Sequence, residues 1–365
     1  MSVRDQAVSE REQKVLDIIE TARSKRARFK DDHITMAHGA GGKATETLIE
    51  GLLLPAFDNE TLAAMADAGT VTIDGTGLAI TTDSFVVKPI RFPGGSIGEL
   101  AVNGTVNDLA VAGARPVALS LSLILEEGLG ADELRAEVDA IAGTAKSAGI
   151  AIVAGDTKVV ERGSADGMYV CTTGIGHVDP RAVLSPASIR PGDVILVSGS
   201  IGRHGTAIML ARGEFDLDAE IESDTCSLWP AADALLEAAR GELRCMRDAT
   251  RGGVASVVNE LARASGVAMV VRESAVPVDP VVAGAAELLG IDPMYIANEG
   301  RLVAFVAPEA AEAALAALQA VPGCEQAALI GEVKTEPPGM VLVETGFGGK
   351  RVMDQLVGDP LPRIC

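Results

Sequence analysis

Aromatic residues are scarce in this chain, at 3% of 365 residues with a single tryptophan, whereas hydrophobic residues together reach 48%. Small and aliphatic side chains must therefore fill the interior. Basic residues are also in deficit, because 31 Lys and Arg stand against 51 Asp and Glu, for a formal net charge of -20. Such a surface repels a phosphate backbone, which argues against nucleic acid as a partner. A nucleotide bound through a metal ion remains compatible, since acidic residues would then be the metal ligands.

Cysteine is rare, and its spacing is irregular. The five cysteines are Cys171, Cys226, Cys245, Cys324 and Cys365. Their odd number and the lack of a Cys-x-x-Cys pair argue against a disulfide framework and against a zinc site. The first four lie in apolar or helical stretches, so we expect them to be core thiols.

Long apolar runs are missing as well. The most apolar stretch, residues 109–125, is interrupted by Arg115 and Pro116, so the sequence predicts no membrane span. The first residues are charged and lack the apolar region of a secretory signal. Together with the cysteine pattern, this favours a reducing, cytoplasmic location.

The length gives room for two domains of ordinary size. We expect a helical or partly disordered N-terminal extension at residues 1–32, an N-terminal domain at 33–190 and a C-terminal domain at 191–345. The Pro191-Gly192 turn marks the boundary between the two domains. Residues 346–365 are rich in glycine and proline, which favours a mobile, partly stiffened tail.

Strands and helices alternate irregularly in both domains, which favours an α+β fold over a doubly wound parallel sheet. Predicted strands lie at residues 71–74, 78–82, 118–125, 150–154, 168–175, 193–197, 267–271, 302–306 and 340–343. Predicted helices lie at residues 44–54, 97–112, 132–148, 231–239, 254–264, 281–289 and 309–320.

A glycine-rich stretch, residues 38–43, leads into the first predicted helix. Glycines let a backbone bend around a phosphate, and helix N-termini favour anions. The stretch is not the common phosphate loop, because its spacing differs and Lys43 is followed by Ala44. A turn that precedes a helix is the simpler interpretation of this pattern alone.

Four aspartates are more informative, because each lies near the end of an element or in a helix of small residues: Asp83, Asp108, Asp156 and Asp248. A carboxylate in apolar surroundings is costly unless a cation binds it. Taken together, the four predict a Mg²⁺ site that also binds a triphosphate. Taken singly, each is equally a helix cap or a turn residue.

Three further polar residues stand near these aspartates in the predicted cleft. Lys158 follows Asp156 by two residues, so we expect it close to a bound phosphate. Glu299 precedes an apolar strand and would act as a base if buried; an exposed turn acid is the alternative. His204 is interpreted as a loop histidine, with a position in the same cleft as the alternative.

The chain ends on a cysteine, Cys365. Chain ends are usually exposed, so packing seldom requires a cysteine there. One interpretation is a thiol that a movable arm carries into an active site; the other is an incidental terminal residue.

In their order, these segments resemble the HypE family of hydrogenase maturation proteins, in the ATP-binding superfamily of aminoimidazole ribonucleotide synthetase, selenophosphate synthetase and thiamine monophosphate kinase. The resemblance runs from about residue 33 to the end. The segments that carry it are residues 38–42, 82–85, 107–109, 155–158, 248–253, 298–300 and 362–365. The terminal Pro-Arg-Ile-Cys makes the match specific, because the superfamily relatives lack it. Ala249 departs from the pattern, since members often have proline there.

The resemblance implies two α+β domains, the first pairing with its copy in a homodimer to form a shared β-barrel, with ATP in the cleft. It implies that the carbamoyltransferase HypF places a carbamoyl group on the terminal thiol. The protein then dehydrates this S-carboxamide to a thiocyanate with ATP. The cyano group passes to iron on the HypC–HypD complex, toward the nickel–iron hydrogenase centre.

The resemblance also implies residue roles, which agree with the chemistry of a phosphoryl transfer followed by proton loss. Cys365 carries the substrate, Lys158 steadies the transferred phosphoryl group, and Glu299 takes the proton. The expected Mg²⁺ ligands are Asp83, Asp108, Asp156 and Asp248. The expected ATP contacts are His38, Gly39, Gly41, Gly42, Lys43, Asn107, Thr157, Arg251 and Gly252.

Two other classes of function stay open. Another kinase or synthetase of the superfamily would leave Cys365 without a purpose. A non-enzymatic carrier of a modified thiol would leave the aspartates without one.

Overall fold

The structure is a computed structural model that describes residues 28–213, 220–346, 348–356 and 364–365. Most of the predicted N-terminal extension and Pro360 and Pro362 of the predicted tail lie outside these ranges. Within them, no helix combines the length and the apolar character that a membrane crossing needs.

Seven strands belong to the first half of the chain: β1 (Gly69–Ile73), β2 (Thr76–Phe85), β3 (Arg91–Phe92), β4 (Gly95–Ser96), β5 (Ala114–Glu126), β6 (Ala151–Val160) and β7 (Met168–Val178). Five of them form one sheet in the order β1-β2-β7-β5-β6, and β3 and β4 form a small ribbon. β5 and β6 run parallel, whereas β2 and β5 each pair antiparallel with β7.

The helices of this half are α1 (Lys43–Leu48), α2 (Leu54–Phe57), α3 (Glu60–Ala63), α4 (Ile97–Val111) and α5 (Ala131–Ser147). A π-helical stretch, Ile49–Leu53, joins the first two into one irregular segment. α4 begins at Ser96, whose hydroxyl oxygen accepts the Gly98 N–H at 3.2 Å as a helix N-cap does.

Seven more strands form the second sheet: β8 (Val194–Val197), β9 (Leu243–Asp248), β10 (Ala268–Arg272), β11 (Leu302–Val306), β12 (Ala328–Lys334), β13 (Val341–Glu344) and β14 (Lys350–Met353). Their order is β14-β13-β10-β12-β8-β11-β9. The helices of this half are α6 (Arg203–Ala211), α7 (Trp229–Ala238), α8 (Gly253–Ser265), α9 (Pro280–Leu289) and α10 (Ala311–Gln319). Apolar cores fill both faces of this sheet, with α8 on one face and α7 and α10 on the other. The architecture confirms the predicted α+β class.

α4 is the element that joins the two halves. Thirteen of its fifteen residues are buried, as expected for a helix that is apolar all round. One side packs against β2, β7 and α5, and the other against α7 and β9. Asn107 and Asp108 therefore lie between the two domains, because they belong to the last turns of this helix.

Two predicted element boundaries are wrong in ways that affect the site. β6 continues through Asp156, Thr157 and Lys158 instead of ending before them. The strand extends because its pairing with β5 continues to Val160, and backbone pairing outweighs the polar character of an edge strand. His204 is not in a loop either, because it lies in the first turn of α6.

The predicted tail is also wrong over residues 350–353, which form β14. This strand pairs antiparallel with β13 from Lys350 to Met353. The N–H of Thr345 donates to the carbonyl oxygen of Gly349 at 2.8 Å, so the glycines serve a hairpin turn. Gly348 has φ +80°, a conformation that favours glycine.

Candidate active site

Three carboxylates meet where the two domains face each other. Asp67 precedes β1, Asp108 lies in α4, and Asp248 ends β9. One carboxylate oxygen from each lies within 4.8 Å of the others. Asp108 and Asp248 were predicted from the sequence, and the structure brings them together.

Asp83 adds a fourth carboxylate to the same cavity. Its side chain lies on the face of β2 that packs against α4. Gly104 allows α4 to approach β2 closely, because a Cβ on Gly104 would lie 2.8 Å from the Phe85 ring and 3.7 Å from the Asp83 carboxylate. A larger residue at position 104 would therefore push the helix away from Asp83.

The cavity has a volume of about 170 Å³. Its walls are acidic and polar, and the terminal cysteine contributes to them. The lining residues are Asp67, Asp83, Ser84, Phe85, Asp108, Asp248, Thr250, Arg251, Glu299 and Cys365. A larger cavity of about 400 Å³ lies between the 49–69 segment and β1, but apolar residues dominate its lining and offer no reactive group.

Burial and mutual repulsion raise the pKa values of the clustered acids. The pKa of Asp248 rises to about 8, first through burial and then through the Asp67 carboxylate. Burial raises the pKa of Asp108 well above its usual range, and Asp248 adds to this effect, although a hydrogen bond from Thr81 opposes it. Such a cluster of buried like charges favours a cation among its oxygens. An all-oxygen donor set suits a hard divalent ion such as Mg²⁺.

Glu299 is buried beside this cluster, with 3% of its surface exposed. Its Oε1 makes no hydrogen bond within the described part of the chain. Burial, followed by the nearby Asp248, raises the pKa of Glu299 well above the usual value. A buried carboxylate with a raised pKa is a stronger base once ionised, which suits it to proton transfer.

The backbone around Glu299 is held by buried contacts. Its N–H donates to Oδ1 of Asp224 at 3.0 Å. Gly300 admits this contact, because a Cβ there would lie 1.9 Å from the carbonyl oxygen of Asp224. Asn298 accepts the N–H of Gly202 at 2.7 Å and donates to the carbonyl oxygen of Ala249 at 2.7 Å. These hydrogen bonds connect the loop of Glu299 to Ala249, directly after β9, and to Gly202, directly before α6.

Asn107 is hydrogen-bonded within the chain, and its predicted contact with ATP stays a prediction. Its Nδ2 donates to the carbonyl oxygens of Cys226 and Glu299 at 3.0 and 3.2 Å. Its Oδ1 accepts the N–H of Leu228 at 2.7 Å. Both ends of the amide are thus used within the chain, so Asn107 positions the backbone of Glu299.

The glycine-rich stretch, residues 38–43, contacts Arg251, and both were predicted to contact ATP. Arg251 donates to the carbonyl oxygen of Gly39 at 2.8 Å. Gly41 has φ +74°, and a Cβ there would lie 2.9 Å from the Cβ of Arg251. Gly252 faces the carbonyl oxygen of Gly41, and Gly42 precedes α1 as its N-cap. The backbone of this stretch therefore borders the acidic cavity through Arg251.

Two other predicted contacts of this stretch are bonded within the chain. The Nε2 of His38 lies 2.8 Å from Oδ2 of Asp31, and its Nδ1 accepts the N–H of Thr35 at 2.9 Å. Lys43 pairs with Asp354 at 2.7 Å on a partly exposed surface. Their contacts with ATP stay predictions.

Asp156 and Lys158 do not join the cluster within one subunit. Asp156 pairs with Ser122, Ser122 with Cys171, and Cys171 with Ser84 across the sheet. Paired residues share a face, so Asp156 lies on the face opposite Asp83, three strands or about 14 Å away. Its carboxylate bonds Lys158 at 2.7 Å on the exposed edge strand, and Thr157 lies between them.

Cys365 lines the acidic cavity, although the sequence left the position of the tail open. The carbonyl oxygen of Cys365 accepts the N–H of Val86 at 3.1 Å. Of the other thiols, Cys245 and Cys324 are buried as predicted, but Cys171 is half-buried and Cys226 is exposed. The prediction of a core position was wrong for Cys226, because its segment lies on the surface before α7.

Sequence reasoning missed Asp67 and its partner Arg247. Asp67 stands in Met65-Ala-Asp-Ala-Gly69, where nothing distinguishes it from a turn acid. Its Oδ1 lies 2.6 Å from Nη1 of Arg247, the residue before Asp248. The only signal in the sequence was that Arg247 directly precedes the predicted ligand Asp248. That signal does not identify Asp67, because the pairing of Asp67 with Arg247 depends on the fold.

The matching family models define the class of protein. The N-terminal and C-terminal domains of AIR synthase related proteins match residues 65–178 and 190–343. The two domains are thus those of this class.

Full-length relatives narrow the class further. Carbamoyl dehydratase HypE of Rhodobacter capsulatus is 48% identical over 340 residues, which cover 92% of this chain and 99% of the relative. The crystal structure of HypE in complex with ATP is 45% identical, covers 91% of this chain and 100% of that one, and superposes with a TM-score of 0.76. A HypE–HypF complex is 43% identical, covers 85% of this chain and 99% of that one, and has a TM-score of 0.81. The chain belongs to the carbamoyl dehydratase HypE family.

Proposed function

We propose that this protein dehydrates an S-carboxamide carried on Cys365 to a thiocyanate, with ATP as the activating co-substrate. The product supplies the cyano ligand for the iron of a nickel–iron hydrogenase. The observation that carries the proposal is the shared cavity, in which Cys365 lies beside Glu299 and the four carboxylates. A substrate attached to that thiol would meet a base and a metal-phosphate site together.

Mg²⁺ and the ATP triphosphate fit the acidic side of the cavity. We assign the metal to the carboxylates of Asp67, Asp83, Asp108 and Asp248. Bound Mg²⁺ would neutralise charge on the phosphates during transfer. Arg251 and the backbone of residues 39–42 border the same space and suit phosphate oxygens.

The chemistry requires two protons to leave the amide nitrogen. The amide oxygen attacks the γ-phosphorus of ATP, ADP leaves, and one N–H proton is released to solvent. The second proton then goes to the base, the C–O bond breaks, and inorganic phosphate departs as the nitrile forms. We assign proton acceptance to Glu299, since its carboxylate is buried, borders the cavity and has a raised pKa.

Covalent attachment replaces substrate binding in this scheme. The thiol holds the amide at one position, so the reaction proceeds at the effective concentration of an intramolecular step. The backbone oxygen of Cys365 accepts the N–H of Val86, which fixes the backbone of the last residue at the cavity wall. Ile364 is 2% exposed and anchors the same end.

The outer face of the first sheet supports a homodimer. On the face that carries Asp156, Ile80, Ile124 and Ile175 are 41%, 37% and 42% exposed. Val153 on the edge strand β6 is 67% exposed. An apolar face beside an unpaired edge strand favours association with another copy. Two such sheets would close the shared β-barrel that the family resemblance implies. Asp156 and Lys158 would then face the neighbouring subunit, where Lys158 would approach its phosphate site.

Partners follow from the chemistry of the tail. HypF is the proposed carbamoyl donor, because the relative in the HypE–HypF structure belongs to the same family. The HypC–HypD complex is the proposed acceptor of the cyano group. The cysteines of the described residues form no disulfide, which agrees with a reducing cytoplasm.

ATP turnover that depends on a carbamoylated Cys365 tests the proposal against its alternatives. We expect phosphate release from ATP only after HypF and carbamoyl phosphate have loaded the thiol. ATP turnover on a free small molecule without loading would instead indicate another superfamily kinase or synthetase. Loading without any ATP turnover would indicate a thiol carrier.

A further inference from the structure

The last two residues are docked into the protein between the domains. The Ile364 side chain is 2% exposed and belongs to an apolar core with Phe85, Phe92, Met168 and Ile208. The backbone of Cys365 is held by the N–H of Val86. The chain end therefore has an apolar anchor and a backbone hydrogen bond.

His204 supplies a second hydrogen bond to this end. Its Nε2 lies 2.6 Å from the carbonyl oxygen of Ile364, and its Nδ1 lies 2.8 Å from Oγ of Ser223. A carbonyl oxygen only accepts, so Nε2 carries the proton and Nδ1 accepts from the Ser223 hydroxyl. The ring is fully buried and contacts Phe92 edge-on, with centroids 5.5 Å apart. Its tautomer and orientation are thus fixed by neighbours on two sides.

The position of His204 is coupled to the loop that carries the proposed base. α6 begins at Gly202, which has φ +81°. The N–H of Gly202 donates to Oδ1 of Asn298 at 2.7 Å. Asn298 directly precedes Glu299, so one buried amide links the helix that holds the tail to the residue that faces the thiol.

We propose that His204 is a positioning residue that holds the tail at Ile364 and thereby sets the position of the Cys365 thiol in the cavity. The carbonyl oxygen of Ile364 fixes the register of the last residue, because the bonded carbonyl belongs to the residue directly before the cysteine. A tail shifted by one residue would bring a different carbonyl to Nε2 and move the thiol away from Glu299. The hydrogen bond itself does not require the proposed reaction, but its purpose in positioning a substrate rests on the proposed function.

Alkylation of the terminal thiol tests this role without ATP or a carbamoyl donor. Iodoacetamide labelling of Cys365 would be followed by the mass of the C-terminal peptide. His204→Phe keeps the buried ring but removes the donor, and we expect Cys365 to react at least about fivefold faster. His204→Gln returns an amide donor at similar reach and should restore a rate close to wild type. His177→Phe, on the exposed face of β7, should leave the rate unchanged.

A wild-type alkylation rate in folded His204→Phe would overturn the proposal. So would an equal acceleration by His204→Gln, which would indicate general damage instead of a lost donor. If His204→Phe does not fold, Ser223→Ala is the milder substitute, because it frees the tautomer while leaving the ring. We expect an intermediate acceleration from Ser223→Ala, and an unchanged rate would also contradict the proposal.

Kinetics separate this inference from the proposed function. In protein already carbamoylated on Cys365, His204→Phe should slow dehydration about tenfold without changing the KM for Mg-ATP, and His204→Gln should recover most of the rate. Absence of dehydration in wild type, with faster labelling of His204→Phe, would reject the function but keep the tail contact. Normal dehydration by His204→Phe would reject the positioning role while the function stands.

Discussion

Nη1 of Arg247 donates to Oδ1 of Asp67 at 2.6 Å, and the two side chains are 14% and 15% exposed. The pair links the end of β9 to the residue before β1, across the boundary between the domains. The ion pair fixes the orientation of the Asp67 carboxylate, and the guanidinium of Arg247 offsets part of the negative charge of the acidic cluster. Arg247 therefore helps to keep three buried acids together before any cation binds.

Asp67→Asn is expected to weaken Mg-ATP binding at least about tenfold, since one charged ligand of the cluster is lost. Asp83→Asn should have a similar effect for the same reason. Isothermal titration calorimetry with Mg-ATP measures both. Asp74→Asn, in the exposed turn after β1, is the matched control and should bind normally. Wild-type affinity in the Asp67 variant would remove that residue from the site.

Asp248→Asn should reduce the pH dependence of stability in metal-free protein. The folded-state pKa of Asp248 is raised to about 8 from 3.8, so folding takes up a proton between these values. This group therefore lowers the free energy of unfolding as pH rises from about 4 to 8, by at most about 1.4 kcal/mol per pH unit. The amide does not ionise and lacks this contribution.

Thermal unfolding in EDTA at pH 5, 7 and 9 measures the effect. We expect the Asn variant to lose less stability toward pH 9 than wild type, and to gain less from added Mg²⁺. Asp108 and Glu299 retain raised pKa values, so some slope should remain. An identical slope in wild type and variant would contradict the electrostatic account of the cluster.

Much of the fold was predictable from periodicity, and α4 illustrates why. Its predicted range, 97–112, agrees within one residue with Ile97–Val111, because its apolar run is long and Ser96 caps it. β14 was not predictable, since Gly346, Gly348 and Gly349 give the sequence before it the composition of a linker. The local sequence does not contain the information that β13 offers an unpaired edge.

The site was predictable only in part, and Asp156 shows the limit. The sequence brings Asp108 and Asp248 into one site correctly, because Asp108 lies in the last turn of α4 and Asp248 ends β9, a strand that contacts α4. Asp156 has the same local pattern, but the strand order puts it three strands from Asp83 and on the other face. Strand order and facing are long-range properties that a motif does not encode.

Glu299→Gln should accept a carbamoyl group on Cys365 and then stop before dehydration. The amide has the size of the carboxylate but is not a base. Mass spectrometry of the C-terminal peptide after addition of Mg-ATP should show the intact carboxamide. Because the pKa of Glu299 is raised and only the ionised carboxylate accepts a proton, the wild-type rate should increase with pH. Glu222→Gln, on an exposed segment, is the control, and normal nitrile formation by Glu299→Gln would assign proton removal to another group.

Lys158→Ala should also accept the carbamoyl group and stall, but through the neighbouring subunit. Co-expression of Lys158→Ala and Glu299→Gln subunits with different tags gives mixed dimers. If Lys158 acts across the interface, one of the two sites in a mixed dimer has both wild-type residues. We therefore expect about half of the wild-type dehydration rate, although each variant alone is inactive. No activity in the mixed dimer would place Lys158 and Glu299 in the same subunit's site.

Val153→Asp should weaken the homodimer. The side chain is 67% exposed on β6, and a charge there would be buried unpaired at the proposed interface. Light scattering after size-exclusion chromatography should show a larger monomer fraction than in wild type. The exposed Val183→Asp variant, outside the sheet, serves as the control. A fully dimeric Val153→Asp protein would contradict pairing through this face.

The mass of the C-terminal peptide tests the central claim most directly. With HypF, carbamoyl phosphate and ATP, we expect a carbamoyl group on Cys365, followed by loss of one water only when Mg-ATP reaches the site. Cys365→Ser should bind Mg-ATP normally but carry no modification, since a hydroxyl is far less nucleophilic than a thiol. Modification at Cys171, Cys226, Cys245 or Cys324 in place of Cys365, or ATP turnover unaffected by Cys365→Ser in the complete system, would contradict the account.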